Sequence, residues 1–297
     1  MKAEALYQAI TDKLIAALEA GVGKFNRPWH LVADATTPRS IAGRTYRGVN
    51  MLWLAMIAED NGWQSGRWGT YKAWQAVDCQ VRKGSKGTPV FLWKPTERTN
   101  PETGKTERGL IAMTYTVFAA EQCDGALAEG LCQPAPPLPQ RERDEQWIQF
   151  WSSVGAVVIQ GGNRAYYSTA TDEIRVPHPD QFDDDDAYNA TLAHEHVHWT
   201  GIRVGRDLRN RFGSEAYAVE ELVAELGAAF LCGRMRSSVE PRQDHGKYLA
   251  SWLQVLRNDP RAIVSAASKA QQAVDYLWSL GGEAVDDMPI ALALEEG

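Results

Sequence analysis

Hydrophobic positions at the start of the chain fall at three- and four-residue steps. Leu6, Ile10, Leu14, Ile15 and Leu18 line one face of a helix, and Gly21 and Gly23 mark its end. Asn50–Asn61 predicts a second helix, apolar on most sides and therefore buried. The pattern then changes to β-branched and aromatic runs, Val90–Trp93 and Leu110–Phe118. The polar stretch Thr96–Arg108 between them, with Asn100-Pro101 and Thr103-Gly104, is a softer break and predicts the turn of a long hairpin. Further on, the spacing predicts helices over Asp144–Val154, Asp186–Thr200, Ser214–Cys232, Tyr248–Leu256 and Pro260–Leu280. A strand starts at Val157, ahead of Gly161 and Gly162, and Tyr166–Pro177 reads as a hairpin. These elements make an α+β chain. The acidic tail from Gly281 is expected to be less ordered.

Prolines divide the chain. Pro134, Pro136, Pro137 and Pro139 are too dense for a helix or a central strand and favour a stiff, extended connector. The expected layout is a first domain over 1–132, a linker over 133–143 and a second domain over 144–297, which suits a length of 297 residues. Charge follows the same division. Residues 1–132 carry 16 Lys and Arg against 13 Asp and Glu, and residues 133–297 carry 15 against 25. A polyanion is drawn to the first half and repelled by the second. Hydrophobic residues at 44% and charged ones at 23% are ordinary for a folded protein. Apolar stretches such as Met51–Ala58 are far shorter than the ~20 residues of a membrane span, and the N-terminus shows no signal-peptide pattern. Cys79, Cys123, Cys132 and Cys232 lack a C-x-x-C spacing and read as reduced thiols of a cytoplasmic protein.

His194, Glu195 and His198 satisfy H-E-x-x-H. On a helix, residues four apart lie one turn above each other, so both imidazoles can face one ion while Glu195, on the next flank, acts as general base on a water. A hydrolytic zinc site takes a third protein ligand and keeps one position open. Its best source is Ala218–Glu225, on a helix whose apolar stripe is Leu222, Leu226, Ala229 and Phe230. Glu221 is taken as the ligand and Glu225 as the carboxylate that holds a histidine ring N–H, with the reverse order open. Glu220 lies about 100° round the helix and is the weaker candidate. The set favours Zn2+, with Mn2+ or Co2+ as alternatives. Whether the centre works as a peptidase of the H-E-x-x-H gluzincin type stays open, because ligands alone do not admit a substrate. His196 is expected to be structural or solvent-facing. The Asp183–Asp186 run is read as a helix cap rather than a calcium site. Tyr166 and Tyr167 are read as sheet residues rather than oxyanion donors.

Single strands of nucleic acid are held by cations along the phosphates and flat rings against the bases. The window 24–94 holds 11 basic and 4 acidic residues and six of the eleven Trp, at 29, 53, 63, 68, 74 and 93. Three clusters stand out: Arg39, Arg44, Tyr46 and Arg47; Arg67, Trp68, Tyr71 and Lys72; and Arg82, Lys83 and Lys86, followed by Trp93 and Lys94. Trp53 is assigned to the core. No recognition helix, zinc finger or Walker loop is present, so duplex readout is not indicated.

Together the two halves resemble the ArdC family of antirestriction proteins of conjugative plasmids. Gly43–Asn50, Trp68–Lys72, Val81–Lys86 and Tyr115–Phe118 are similar to the family's N-terminal single-stranded-DNA-binding domain, also found fused to plasmid primases. Ala193–Gly201 and Phe212–Glu225 are similar to its zincin-like metallopeptidase domain. The resemblance implies a zincin fold in the second half, with ligand helices beside a small antiparallel sheet. It also implies protection of incoming single-stranded plasmid DNA from host restriction. Two other functions compete. One is an active zinc peptidase that cleaves a host protein, such as a restriction enzyme, with the DNA domain as a tether. The other is a regulatory DNA-binding protein with a vestigial metal site.

Overall fold

The computed structural model describes residues 1–20, 37–99, 106–133, 139–209, 213–237 and 248–281. Helix α1 (Ala3–Ala20) buries Leu6, Ile10, Leu14 and Leu18 completely, as its period requires. Strand β1 (Arg39–Ser40) leads to α2 (Val49–Asn61), followed by β2 (Arg67–Gly69), α3 (Tyr71–Gln75) and β3 (Gln80–Val81). The hairpin strands are β4 (Thr88–Thr99) and β5 (Thr106–Ala119). After them come β6 (Cys123–Asp124) and α4 (Ala126–Leu131). The second half contains α5 (Gln140–Val154), β7 (Val157–Gln160), β8 (Tyr166–Ser168), β9 (Glu173–Val176), α6 (Asp185–Arg203), α7 (Glu215–Met235), α8 (Leu249–Asn258) and α9 (Ala262–Gly281).

Among the described residues, three sheets accompany these helices. The first has the order β1-β2-β5-β4, parallel between β1 and β2 and antiparallel elsewhere. The second is β3-β6, antiparallel, and the third is β7-β9-β8. In the third, β7 pairs with β9 in parallel and β8 with β9 antiparallel. The sheet beside the ligand helices is therefore mixed, which corrects the antiparallel expectation: β7, entering after α5, pairs beside β9 running the same way. Most of the polar stretch 96–108 is strand rather than a break, because the cross-strand ladder continues out to Thr99 and Thr106. Helix α5 begins four residues earlier than its apolar period, with Pro139 as its N-cap, so 140–143 are helix rather than linker. Gly21, Gly23, Lys24, Trp29, the turn residues Asn100-Pro101 and Thr103-Gly104, the linker prolines 134–137, Phe212 and the acidic tail after Gly281 lie outside the described residues.

One hydrophobic core runs through both halves, joining Leu6 and Leu52 to Phe230, Ala267 and Leu277. Gly48 shows how the halves fit. It caps α2 at φ 56, and a Cβ there would stand 3.7 Å from Ala267 O of α9. Its N–H donates to Gln271 Oε1 at 2.9 Å, and Thr11 Oγ1 donates to Pro260 O at 2.8 Å. The buried Asn50 fixes α2 to β4 by donating to Phe91 O (2.8 Å) and accepting from Phe91 N (2.9 Å). Both hydrogen-bonding groups of that amide are thus satisfied, which a buried side chain requires. Trp53 is in the core as expected, its indole N–H donating to Pro89 O at 2.9 Å. No described helix is long and apolar enough to cross a membrane.

Candidate metal centre and nucleic-acid face

Two helices build the candidate metal centre. Asp184 caps α6, accepting from Ala187 N at 2.7 Å, and Asp185 and Asp186 follow in the first turn, where the helix dipole favours carboxylates. Asp186 is buried, accepting from Ser237 Oγ at 2.6 Å and facing Arg143 at 3.3 Å. The aspartate run thus caps and anchors the helix. Ser214 caps α7 through Tyr217 N at 3.2 Å. The two helices cross closely at Gly227. A Cβ there would lie 2.6 Å from Val197 Cγ2 of α6, nearer than real side chains approach. A glycine at this point lets the α7 carboxylates reach the α6 imidazoles.

His194 Nε2 and His198 Nε2 face each other at 3.2 Å. Glu221 closes the group, with Oε2 3.7 Å from His194 Nε2 and Oε1 3.6 Å from His198 Nε2. One donor atom from each of the three residues lies within 4.8 Å of the others. Two nitrogens on a tetrahedral zinc, each at about 2.0–2.1 Å, stand roughly 3.3 Å apart, so the imidazole pair fits an ion. Their Nδ1 atoms point outward to carboxylates. His194 Nδ1 is 2.9 Å from Glu225 Oε1, and His198 Nδ1 is 3.2 Å from Glu220 Oε1. With the proton on Nδ1, each ring turns its Nε2 lone pair inward.

Glu220 is therefore no bystander. It lies beside His198 and is joined at 3.2 Å by Arg206, whose guanidinium also reaches Val197 O and Thr200 Oγ1. Burial would raise the Glu220 pKa, but the His198 hydrogen bond and the charges of His198 and Arg206 hold it below the ordinary value. Burial works against a charged His198. The Glu220 hydrogen bond and the charges of Glu221, Glu195 and Glu220 outweigh it and raise its pKa. Glu195, Glu220, Glu221 and Glu225 thus crowd one largely dry region, and Arg206 offsets one of them. Carboxylates gathered in this way around two imidazoles suit a cation. Glu220→Gln is expected to weaken divalent-metal binding by about 10–100-fold with the fold intact, measured by competition with a chromophoric chelator.

His196 is fully buried. Its Nδ1 sits 2.7 Å from Leu192 O and its ring stacks on Trp151 at 4.1 Å, while burial pushes its pKa down to about 4. It is a neutral packing residue, and the solvent-facing alternative is excluded. Tyr217, one turn before Glu221, was not singled out by the sequence. Its hydroxyl lies 3.5 Å from that of Tyr248, and burial, followed by Tyr248 and Glu221, raises its pKa. The i, i+4 spacing from Glu221 was the available signal. Tyr167 donates to Asp172 at 2.8 Å, and Asp172 is gripped by Arg203 at 2.6 Å, so this tyrosine belongs to the sheet. Strand β8 is an edge of its sheet among the described residues, and Tyr166 on it is exposed.

The candidate nucleic-acid residues separate by exposure. Tyr71, Lys72, Lys83, Lys86 and Lys94 are exposed. Tyr46 and Trp68 are corrections. At 4% and 1% exposure their rings are core, with Tyr46 bonded to Tyr115, and neither has a face to offer a base. Trp93, at 38%, is the exposed tryptophan next to Lys94. Arg47 pairs with Asp275 of α9. Arg82 meets Asp124 at 3.1 Å and Cys123 O at 3.2 Å, so it anchors its own turn. That turn is held again where Gln122 Nε2 donates to Lys86 O at 2.9 Å, leaving Lys83 and Lys86 outward on a fixed base. Arg39, Arg44 and Arg67 are half-buried.

Comparison with known proteins agrees with both halves. Residues 4–118 match the model of the N-terminal domain of anti-restriction factor ArdC, and residues 145–269 match that of a zincin-like metallopeptidase. The uncharacterized protein y4eC of Sinorhizobium fredii is 43% identical over 290 residues, covering 94% of this chain and 93% of that protein. A DNA primase TraC of Escherichia coli is 33% identical over 97% of this chain, which spans only 28% of the primase. The crystal structure of the antirestriction protein ArdC from plasmid R388, metal-free, superposes with a TM-score of 0.76 at 35% identity, covering 93% of this chain and 97% of that one. Its Mn(II)-bound form gives 0.75 at the same identity.

Proposed function

Because the chain belongs to the ArdC family of antirestriction proteins and carries its zincin-like domain, we propose that it binds single-stranded DNA without sequence preference and shields incoming conjugative plasmid DNA from host restriction. The observation that carries this reading is the likeness to R388 ArdC along nearly the whole of both chains. Exposed side chains of the first half support it chemically. Tyr71 and Trp93 offer rings, and Lys72, Lys83, Lys86 and Lys94 offer cations. Stacking and phosphate neutralisation are indifferent to sequence, as protection of an arbitrary plasmid demands. The test is conjugation into a restricting and a non-restricting recipient. Loss of the gene is expected to lower transfer only into the restricting one; equal transfer into both overturns the reading.

A second reading, peptide hydrolysis, is favoured by the intact acid beside the ligand set. His194, His198 and Glu221 are proposed to hold a divalent ion, zinc by donor type with manganese and cobalt as alternatives. When bound, the ion supplies Lewis acidity to a carbonyl and makes water more acidic. Glu195, buried and one residue after His194, is the base that takes a proton from the attacking water and returns it to the leaving amine. Glu225 and Glu220 keep the two rings oriented. Tyr217 keeps its hydroxyl proton, its pKa being raised further by burial, and in this reading that hydroxyl turns from its neighbours Tyr248 and Glu221 to donate to a developing oxyanion. Strand β8, an edge among the described residues, suits an extended peptide added as a strand.

A further inference from the structure

Three guanidinium groups gather where the two halves join, and none forms an ion pair among the described residues. Arg39 on β1 and Arg67 on β2 are register partners on neighbouring parallel strands, so they leave the sheet on the same face. The turn after β1 folds over Arg67. Arg67 Nη1 lies 3.5 Å from Ser40 O, and Gly43, at φ +86, presents no side chain to it. Arg236 comes from the other half. It is the left-handed residue that closes α7 at φ 53, and its side chain is exposed. Thr37 Oγ1 donates to Gly233 O at 3.3 Å, tying the segment that enters β1 to the last turn of α7.

The neighbouring Arg234 has its own partners, Asp275 at 3.6 Å and the face of Trp278 at 5.0 Å. Arg39, Arg67 and Arg236 have no carboxylate partner among the described residues, and Arg67 meets only the Ser40 carbonyl. Burial first, and then the charges of Arg236, Arg67 and Arg234, hold the Arg39 pKa below its ordinary value; burial and Arg236 do the same to Arg67. The α7 C-terminus offers them only about half an elementary charge. Three charges close enough to act on one another, with that little compensation among the described residues, favour an anion, and guanidinium forks match the oxygens of a phosphate.

We infer that Arg39, Arg67 and Arg236 form a phosphate site shared by the two halves, and that a backbone phosphate of single-stranded DNA occupies it. The inference rests on the strand-binding reading only for the owner of the phosphate. It extends the DNA path beyond the first half onto α7, the helix that carries Glu221 and Glu225. A bound strand then touches the element that builds the metal centre.

The test uses the full chain and two variants. Arg236→Asn removes the charge, and asparagine tolerates the left-handed cap; Arg39→Gln is the second. Thermal unfolding is followed at fixed ionic strength with and without millimolar inorganic phosphate. Binding of fluorescent oligo(dT) is followed by anisotropy across a salt series. Phosphate is expected to raise the Tm of the wild type and of neither variant. The oligonucleotide affinity of Arg236→Asn is expected to fall about tenfold, with a salt slope shallower by about 0.7. A wild-type Tm indifferent to phosphate, or a rise that persists in both variants, overturns the site. Oligonucleotide binding unchanged in Arg236→Asn removes the strand from it. A wild type that ignores oligonucleotide yet shows the variant-sensitive phosphate rise retires the strand-binding reading and leaves the site standing.

Discussion

Glu195→Gln is expected to keep a full equivalent of divalent metal and to lose peptide hydrolysis by about 10²–10⁴-fold. The substitution preserves size and removes only the ability to accept a proton. The donors that converge are His194, His198 and Glu221, and Glu195 is not among them. Its buried position also means that a neutral amide relieves negative charge rather than adding it. Two measurements on one preparation are needed: metal content after dialysis, and hydrolysis of a quenched-fluorescence peptide library. The in-cell consequence then separates the two readings. If protection of a transferred plasmid falls with hydrolysis, the antirestriction role runs through peptide cleavage. If protection survives while hydrolysis is gone, the metal serves structure or regulation, and the DNA face carries protection. Loss of metal in the glutamine variant would instead make Glu195 a ligand.

The second large effect is expected from Lys83→Glu with Lys86→Glu. Both side chains are exposed on a turn fixed from beneath by Arg82 and Gln122, so reversing them leaves the fold nearly untouched. Each lost charged contact is worth roughly 1.5 kcal/mol or more, so the pair is expected to cost about 100-fold in oligonucleotide affinity at low salt. Loss of two phosphate contacts also flattens the dependence of log K on log salt by about 1.4 for a single strand. The loss is expected to be the same for poly(dT) and for mixed sequences, because phosphates carry no sequence. Anisotropy titrations at several salt concentrations read all three quantities. Unchanged affinity would move the strand off this turn, and a sequence-dependent loss would mean that Lys83 or Lys86 reads bases.

What the sequence makes legible depends on the range over which each signal acts. The helical period is local, so His194, His198 and the Glu221/Glu225 pair were placed on common faces by spacing alone, and the convergence of those faces follows it. The role of Glu220 escapes a local period for the same reason. Spacing turns it away from the ion, but only the crossing of α6 and α7 shows that this direction leads to His198 Nδ1. The nucleic-acid face was harder. Strand β2 has three residues and β1 two, too short to display a period, so nothing in the local pattern distinguished the core ring of Trp68 from the exposed ring of Trp93.

Spacing and side-chain chemistry along the chain were sufficient for the longer helices, the long hairpin, the placing of His194 and His198 on one helix face and of Glu221 and Glu225 on another, and the cationic first half, because each depends on neighbours within a turn or a strand pair. The tertiary structure alone decided which rings are buried, which carboxylate serves which imidazole, and that Gly227 lets the two ligand helices approach closely. It alone brought Arg236 from one end of the chain to Arg39 and Arg67 at the other. Such relations depend on the docking of one surface against another, where burial and unbalanced charge are set by groups far apart in sequence, and no local period records them.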